Sequence, residues 1–220
     1  MAVLENKVTL EFAALGRTIT WQATPKISQG ITVNYSTWEL QHTNYQPSAF
    51  GNRGTPEITI SGPWFSRSAD EAKVTLEAIH TLRTATMMYY GRGDDKKGTP
   101  PPVGRFSAYG LYNRVPVVIK SFQFEFPNDV DYVTTPMFTG GGNPPTEKNQ
   151  EGLGDQNGPG TSSTAEGSKP GPGNDGNAQA VPVLFDISVV LLVQMSPVEV
   201  VKRFTLAKFN DGSLLGEGYI

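Results

Sequence analysis

Asp129 and Asp131 lie two residues apart at the end of a strand-like run, where both carboxylates can point the same way. Two carboxylates flanking a scissile bond are the machinery of glycoside hydrolysis. No other polar constellation accompanies this pair in sequence, so a turn-stabilising or interface role for Pro127-Asn128-Asp129-Val130-Asp131-Tyr132 is the simpler expectation. A second acidic pair, Asp94-Asp95, could hold a cation, yet Lys96-Lys97 directly after it would neutralise the site. Arg92-Gly93-Asp94 matches an integrin-binding tripeptide, which three common loop residues do by chance.

Other chemistry is missing from the sequence. There is no G-x-x-x-x-G-K-[ST] loop, because Gly140-Gly141-Gly142 runs into Asn-Pro-Pro and opens no helix. H-E-x-x-H, nucleophile-elbow and calcium-loop patterns do not occur. With no cysteine, the chain has no disulfide, thiolate nucleophile or cysteine-ligated metal, and its histidines are only His42 and His80. The expectation is no catalytic residue, no cofactor and no metal.

The elements that would position these residues read as follows. Ser68 begins a helix predicted to run to Tyr90, with Glu71 three residues on to reach back to the cap amide. Ala72, Leu76, Ile79 and Leu82 form its apolar stripe, Asp70, Lys73 and Glu77 face away, and Gly91 is placed to end it. His80 sits at the stripe's edge. Before the helix, Val8–Phe12 and Ile19–Ala23 alternate as a hairpin about Gly16-Arg17. Pro25–Gly30 reads as a turn and Ile31–Leu40 as a long strand with a bulge near Ser36-Thr37. Asn44–Gly54 reads as loop, and Glu57–Phe65 as a strand stopped by Gly62-Pro63.

After the helix comes a Gly/Pro-rich turn, Gly91–Pro102. Val103–Tyr112 and Val115–Phe126 then read as strands joined at Asn113-Arg114, with Phe122, Phe124 and Phe126 on one buried face. Val181–Val193 is a further buried strand, and Asn210-Asp211-Gly212 signals a tight turn in the tail.

Composition sets outer limits. Of 220 residues 37% are hydrophobic and 18% charged, so a core is affordable; 24 glycines and 17 prolines imply many turns between short strands. The net charge of −3 offers no basic surface for nucleic acid. That charge lies in a low-complexity stretch, Gly140–Ala180, which holds five acids and two lysines and leaves 16 of each sign elsewhere. In this stretch 16 of 41 residues are Gly or Pro, a composition that stays disordered in isolation. It reads as a partner-binding arm, with an interdomain linker as the alternative. The first residues lack a signal-peptide core, and Val181–Met195 is too short and too polar to span a bilayer.

In order along the chain, SADEAKVTLEAIHTLRTATMMYYGRG, GTPPPVGRFSAYGLYNRVPVVIKSF and FPNDVDYV form a set that resembles the baseplate tail-tube junction proteins of contractile-tailed bacteriophages. The likeness covers Ser66–Val133, with a looser echo in Val181–Val193. It implies an α+β, mainly β fold: a tail-tube-like β-barrel or sandwich with one packed amphipathic helix. The Gly/Pro-rich insert would then lie within a single domain spanning residues 1–220. It also implies a structural role, a hexameric ring that joins the baseplate hub to the tail tube and initiates tube polymerisation. The implied partners are other copies of the chain, the hub protein, and a second junction or tube protein, with DNA only as cargo passing through the lumen and no membrane. The implied location is the virion baseplate, assembled in the host cytoplasm. Under this resemblance Pro127, Asn128, Asp129, Asp131 and Tyr132, together with Asp94, Asp95, Lys96 and Lys97, are expected at contacts between subunits or layers. The competing expectation is a β-sandwich ligand-binding module or hydrolase, with Trp38, Trp64, Tyr109 and Asp129/Asp131 around one cleft.

Overall fold

A computed structural model of the chain describes residues 8–91, 96–136 and 178–220. Eleven strands and three α-helices follow one another in these residues: β1 (Thr9–Phe12), β2 (Arg17–Thr20), β3 (Lys26–Gly30), β4 (Val33–Thr37), β5 (Ser48–Arg53), β6 (Glu57–Phe65), α1 (Ala69–Ala85), β7 (Gly104–Ala108), β8 (Tyr112–Glu125), β9 (Tyr132–Pro136), β10 (Ala178–Pro182), β11 (Leu184–Val193), α2 (Pro197–Arg203) and α3 (Leu206–Asn210). Seven strands make one antiparallel sheet in the order β2-β1-β7-β8-β11-β6-β3, and β4-β5 and β9-β10 are separate two-stranded ribbons. The fold is therefore α+β and mainly β, without a closed barrel.

Chain connectivity curls the sheet. From Thr20 to Lys26 an extended chain spans at most about 22 Å, whereas the edges of a flat seven-stranded sheet stand about 29 Å apart. The edge strands β2 and β3 must approach each other, and at that corner Trp21 packs edge-on against Trp64 at 6.3 Å while Gln22 Oε1 accepts from the Phe65 amide at 3.1 Å. The linking segment passes so close to β6 that a Cβ on Gly62 would lie 2.9 Å from Pro25 Cα. Gly62-Pro63 thus does not stop the strand. Gly62 admits the crossing backbone, and Pro63 lies past the end of the β3 ladder, where a missing N–H is tolerated.

The sheet's inner face carries Leu10, Phe12, Ile58, Ile60, Phe106, Val115, Val117, Ile187, Val189 and Leu191, all buried. α1 adds Ala72, Ala78, Ile79, Leu82 and Ala85 to the same cluster. Each fully buried aliphatic side chain stabilises this core by about 1.5–3 kcal/mol. The helix opens as read: Ser68 Oγ accepts from the Glu71 amide at 3.3 Å. The Glu71 carboxylate, however, reaches the amide of Arg67 at 2.8 Å, one residue before the cap. Thr75, rather than Leu76, is fully buried on the stripe, because its hydroxyl bonds Ser66 Oγ at 2.9 Å. The helix ends at Ala85, short of Tyr90, where the Thr86 hydroxyl turns back onto the Arg83 carbonyl at 2.7 Å.

Other boundaries shift for local reasons. β3 forms where a turn was expected, since its polar residues need only one paired edge. The β7–β8 turn is Tyr109-Gly110, both at positive φ with Leu111 N–H bonded to the Ala108 carbonyl, the twist-matched hairpin geometry. Asn113-Arg114 instead marks an irregularity inside β8, where Arg114 takes φ 50° and its amide donates to Ser107 Oγ at 3.1 Å. Phe122, Phe124 and Phe126 do share a face, with neighbouring rings 6.2 and 5.2 Å apart. Their burial fades along the strand, and Phe126 is exposed.

β9 and β10 pair Tyr132 through Pro136 with Pro182 through Ala178. Pro136 and Ala178, which flank residues 137–177, are thereby held side by side. The last residues of the low-complexity stretch, Ala178–Ala180, belong to β10; 140–177 lie outside the described residues.

Candidate functional site

Pro127–Tyr132 forms a latched turn. The Tyr132 hydroxyl donates to the Pro127 carbonyl at 2.8 Å, and the Asp131 carbonyl accepts from Val183 N–H at 2.8 Å. Asn128, Asp129, Asp131 and Tyr132 are exposed around it. Such a closed turn offers a preformed contact surface.

Lys96 and Lys97 lie in an exposed turn clamped at its base by Gly98 N–H to the Tyr89 carbonyl and Tyr89 N–H to the Thr99 carbonyl. The Lys96 ammonium stands 5.6 Å from the centre of the Tyr89 ring. Asp94 and Asp95, with the rest of the Arg-Gly-Asp tripeptide, lie outside the described residues. The aromatic cleft is not assembled: Trp64 is 1% exposed inside the core, whereas Trp38 stands on a ribbon in solvent. Tyr109 sits in the β7–β8 turn with its hydroxyl 3.4 Å from the Pro25 carbonyl, and burial raises its pKa. Among the described residues there is no group of three or more His, Cys, Asp or Glu placed to hold a metal ion. None of their helices is long and apolar enough to cross a membrane.

Two features dominate the surface: a ribbon of which the sequence announced only the first strand, and a cleft that it did not announce. The first is the β4–β5 ribbon. Every residue of both strands is exposed. A register shift between Asn34 and Tyr35 sorts its side chains. On one side Tyr35 packs edge-on to Phe50 at 6.1 Å, with Val33 beyond; on the other Asn34 Nδ2 donates to Asn52 Oδ1 at 2.8 Å. Tyr35 and Phe50 are still 62% and 64% exposed. The tip is ordered by Gln46, whose amide accepts from Leu40 N–H at 2.8 Å and donates to the Leu40 carbonyl at 3.2 Å. This fixes Trp38, Leu40 and Tyr45 outward, Tyr45 at 87% exposure. The alternation of Ile31–Tyr35 announced a strand, but Ser48–Arg53 has Phe50 as its single large apolar residue and gave no comparable signal.

The second feature is an apolar cleft of about 400 Å³ at the ribbon's root, lined by Arg53, Val200, Phe204, Phe209, Tyr219 and Ile220 among others. Phe204 holds it together, 5.8 Å from the Phe209 ring and 6.1 Å from Tyr219. Arg53 Nη2 donates to the Ile220 carbonyl at 3.2 Å, tying the ribbon to the tail segment. Gly218 takes φ 83°, and a Cβ added there would crowd β8, 3.1 Å from the Arg114 carbonyl oxygen and 3.2 Å from Val115 Cα. Around the cleft Val198, Val201 and Leu206 project from α2 and α3, Val201 at 84% exposure.

The outer face of the sheet is mixed: Leu184, Val190 and Leu192 of β11 and Val118 of β8 lie among its polar side chains. Lys120 reaches across β11 to Glu57 at 2.6 Å, and Arg114 pairs with Glu11 at 3.5 Å. Asp186 stands directly opposite Glu125, beside a shallow depression that includes Ser61, Gln123 and Ser188. No model of a protein family matches the chain, and no curated protein matches it either.

Proposed function

We propose that the chain is a ring-forming structural subunit of a contractile-tail baseplate, joining the hub to the tail tube around a DNA-conducting lumen. The observation that carries this reading is the β4–β5 ribbon, which contributes no buried residue to its own fold. An isolated two-stranded hairpin is marginal in water, so a ribbon with an apolar side is best accounted for by neighbours that cover it. The curled sheet adds two further open edges, β2 and β3, each paired on one side only. Such edges are an aggregation hazard in a lone molecule and useful in a closed ring, where every edge meets a neighbour. With α1 covering the inner face, the outer face is the one left to line a lumen, and it carries charges of both signs among its side chains. The resemblance of the Ser68–Val133 motifs to junction proteins supplies the choice of a tail over other rings, and the latched Pro127–Tyr132 turn would meet the adjoining layer.

Electron microscopy of the purified chain, alone and with hub and tube proteins, tests the proposal. The expected result is a ring with cyclic symmetry and an open lumen that seats on the hub and seeds tube growth. A chain that stays monomeric and ignores hub and tube would sink it.

A further inference from the structure

Building on the ring reading, we infer that the apolar tip of the β4–β5 ribbon of one copy docks into the cleft at the ribbon root of the next copy. Both surfaces lack a partner among the described residues: the tip presents Trp38, Leu40 and Tyr45, and the cleft opens between Val200, Phe204 and Phe209. They cannot satisfy each other within one chain. A paired ladder runs from Val33↔Arg53 at the root to Thr37↔Ser48 and is extended by Trp38 N–H to the Pro47 carbonyl. At about 3.3 Å per residue the tip therefore stands roughly 20–25 Å from its own cleft.

Charge favours the same pairing. Between Ile31 and Asn52 the single formal charge is Glu39, flanked by Trp38 and Leu40, so the tip is weakly acidic. The cleft has Arg53 in its lining, and around it Lys202 and Lys208 stand against Glu199 and Asp211, which leaves Arg53 as the net positive charge. The remaining cation on α2, Arg203, is engaged with Glu217 at 3.4 Å. A site for nucleic acid or anionic lipid would need different surroundings: no lysine or arginine lies between Ile31 and Asn52 to meet phosphate. Because tip and cleft are different surfaces of one chain, the contact is heterologous, each copy giving one tip and receiving another. Its repeat is set by ribbon length, and it closes into a ring or continues as a filament according to the rotation between copies.

The absence of cysteine makes the test unambiguous. Gln41→Cys marks the tip and Thr55→Cys the cleft rim, both at exposed positions. On mild oxidation an equal mixture of the two single variants should give a disulfide-linked dimer at least tenfold more abundantly than either variant alone. Adding Trp38→Ser to the tip variant should reduce that yield about tenfold without changing its circular dichroism. Equal dimer from the tip variant alone would show a symmetric tip-to-tip contact and overturn the inference, as would a mixture that does not cross-link. With both cysteines in one chain, a ladder that keeps growing would leave the contact standing and sink the ring. Rings seen by microscopy in a mixture that fails to cross-link would do the reverse.

Discussion

Gly62 shows how one missing side chain shapes the sheet. Its backbone lies under the segment that carries the chain from β2 to β3, and an added Cβ would meet Pro25 Cα and Cβ, both at 2.9 Å. Gly62→Ala should therefore cost about 1–3 kcal/mol, as overpacking against backbone does, read as a lower urea midpoint at unchanged slope. Gly30→Ala is the control, because nothing lies within 4 Å of the Cβ it would add. Tyr112 gives a pH handle at the same corner. Its hydroxyl donates to Gln29 Oε1 at 2.9 Å across the curl, and burial raises its pKa above the usual 10.0. A pKa raised in the folded state favours the neutral phenol there. The associated stability is full below pH 10.0 and is lost as pH rises through the folded value. Tyr112→Phe should therefore be less stable at pH 7 by about 0.5–1.5 kcal/mol, the worth of one hydrogen bond. It should also lose less than the wild type between pH 10 and 11 in parallel denaturation curves, with Tyr109, shifted in the same direction, keeping some slope.

At the scale of elements, the sequence was most legible where local chemistry and burial agree. Ser68 and Glu71 marked the start of α1 because a side-chain cap is specified within four residues. Ser68→Ala should cost about 1 kcal/mol, seen as a lower thermal midpoint, while Ser68→Asp should hold the wild-type value. The helix end was misread because Met87 to Tyr90 looks helical in composition, and only the Thr86 hydroxyl and the Tyr89 clamp to Gly98 and Thr99 show where the chain leaves the helix. The central strands were legible because β8 and β11 put valine, isoleucine and phenylalanine on alternate positions against one core. β4 was legible from the alternation of Ile31–Tyr35, but β3 and β5 were not, since strands exposed on both sides impose no alternation that a sequence must obey. The candidate site divides in the same way. Pro127–Tyr132 was readable as turn chemistry, whereas the cleft depends on Phe204, Phe209 and Tyr219 meeting, and no sequence spacing announces that.

For the molecule as a whole, the low-complexity stretch separates stability from surface charge. The ladder from Tyr132↔Pro182 to Pro136↔Ala178 brings together the residues on either side of 137–177. Excising 140–180 would cut into that ladder at Ala178–Ala180, whereas excising 140–176 leaves it whole. Closing a shorter loop costs less: going from about 41 to about 8 residues should stabilise the chain by about 1–1.5 kcal/mol. Replacing 140–176 with a four-residue Gly-Ser linker should therefore raise the urea midpoint. The same excision removes five acids and two lysines and brings the net charge from −3 to zero. Solubility near pH 7 should fall, because self-repulsion between copies is lost. If the stretch also reaches a neighbouring protein, seating on the hub weakens while ring formation through the ribbon persists. Microscopy and urea titration of the same variant decide the matter: an unfolded variant would place the stretch in the core, and a folded one that no longer forms rings would move the ring contact from the ribbon to the excised residues.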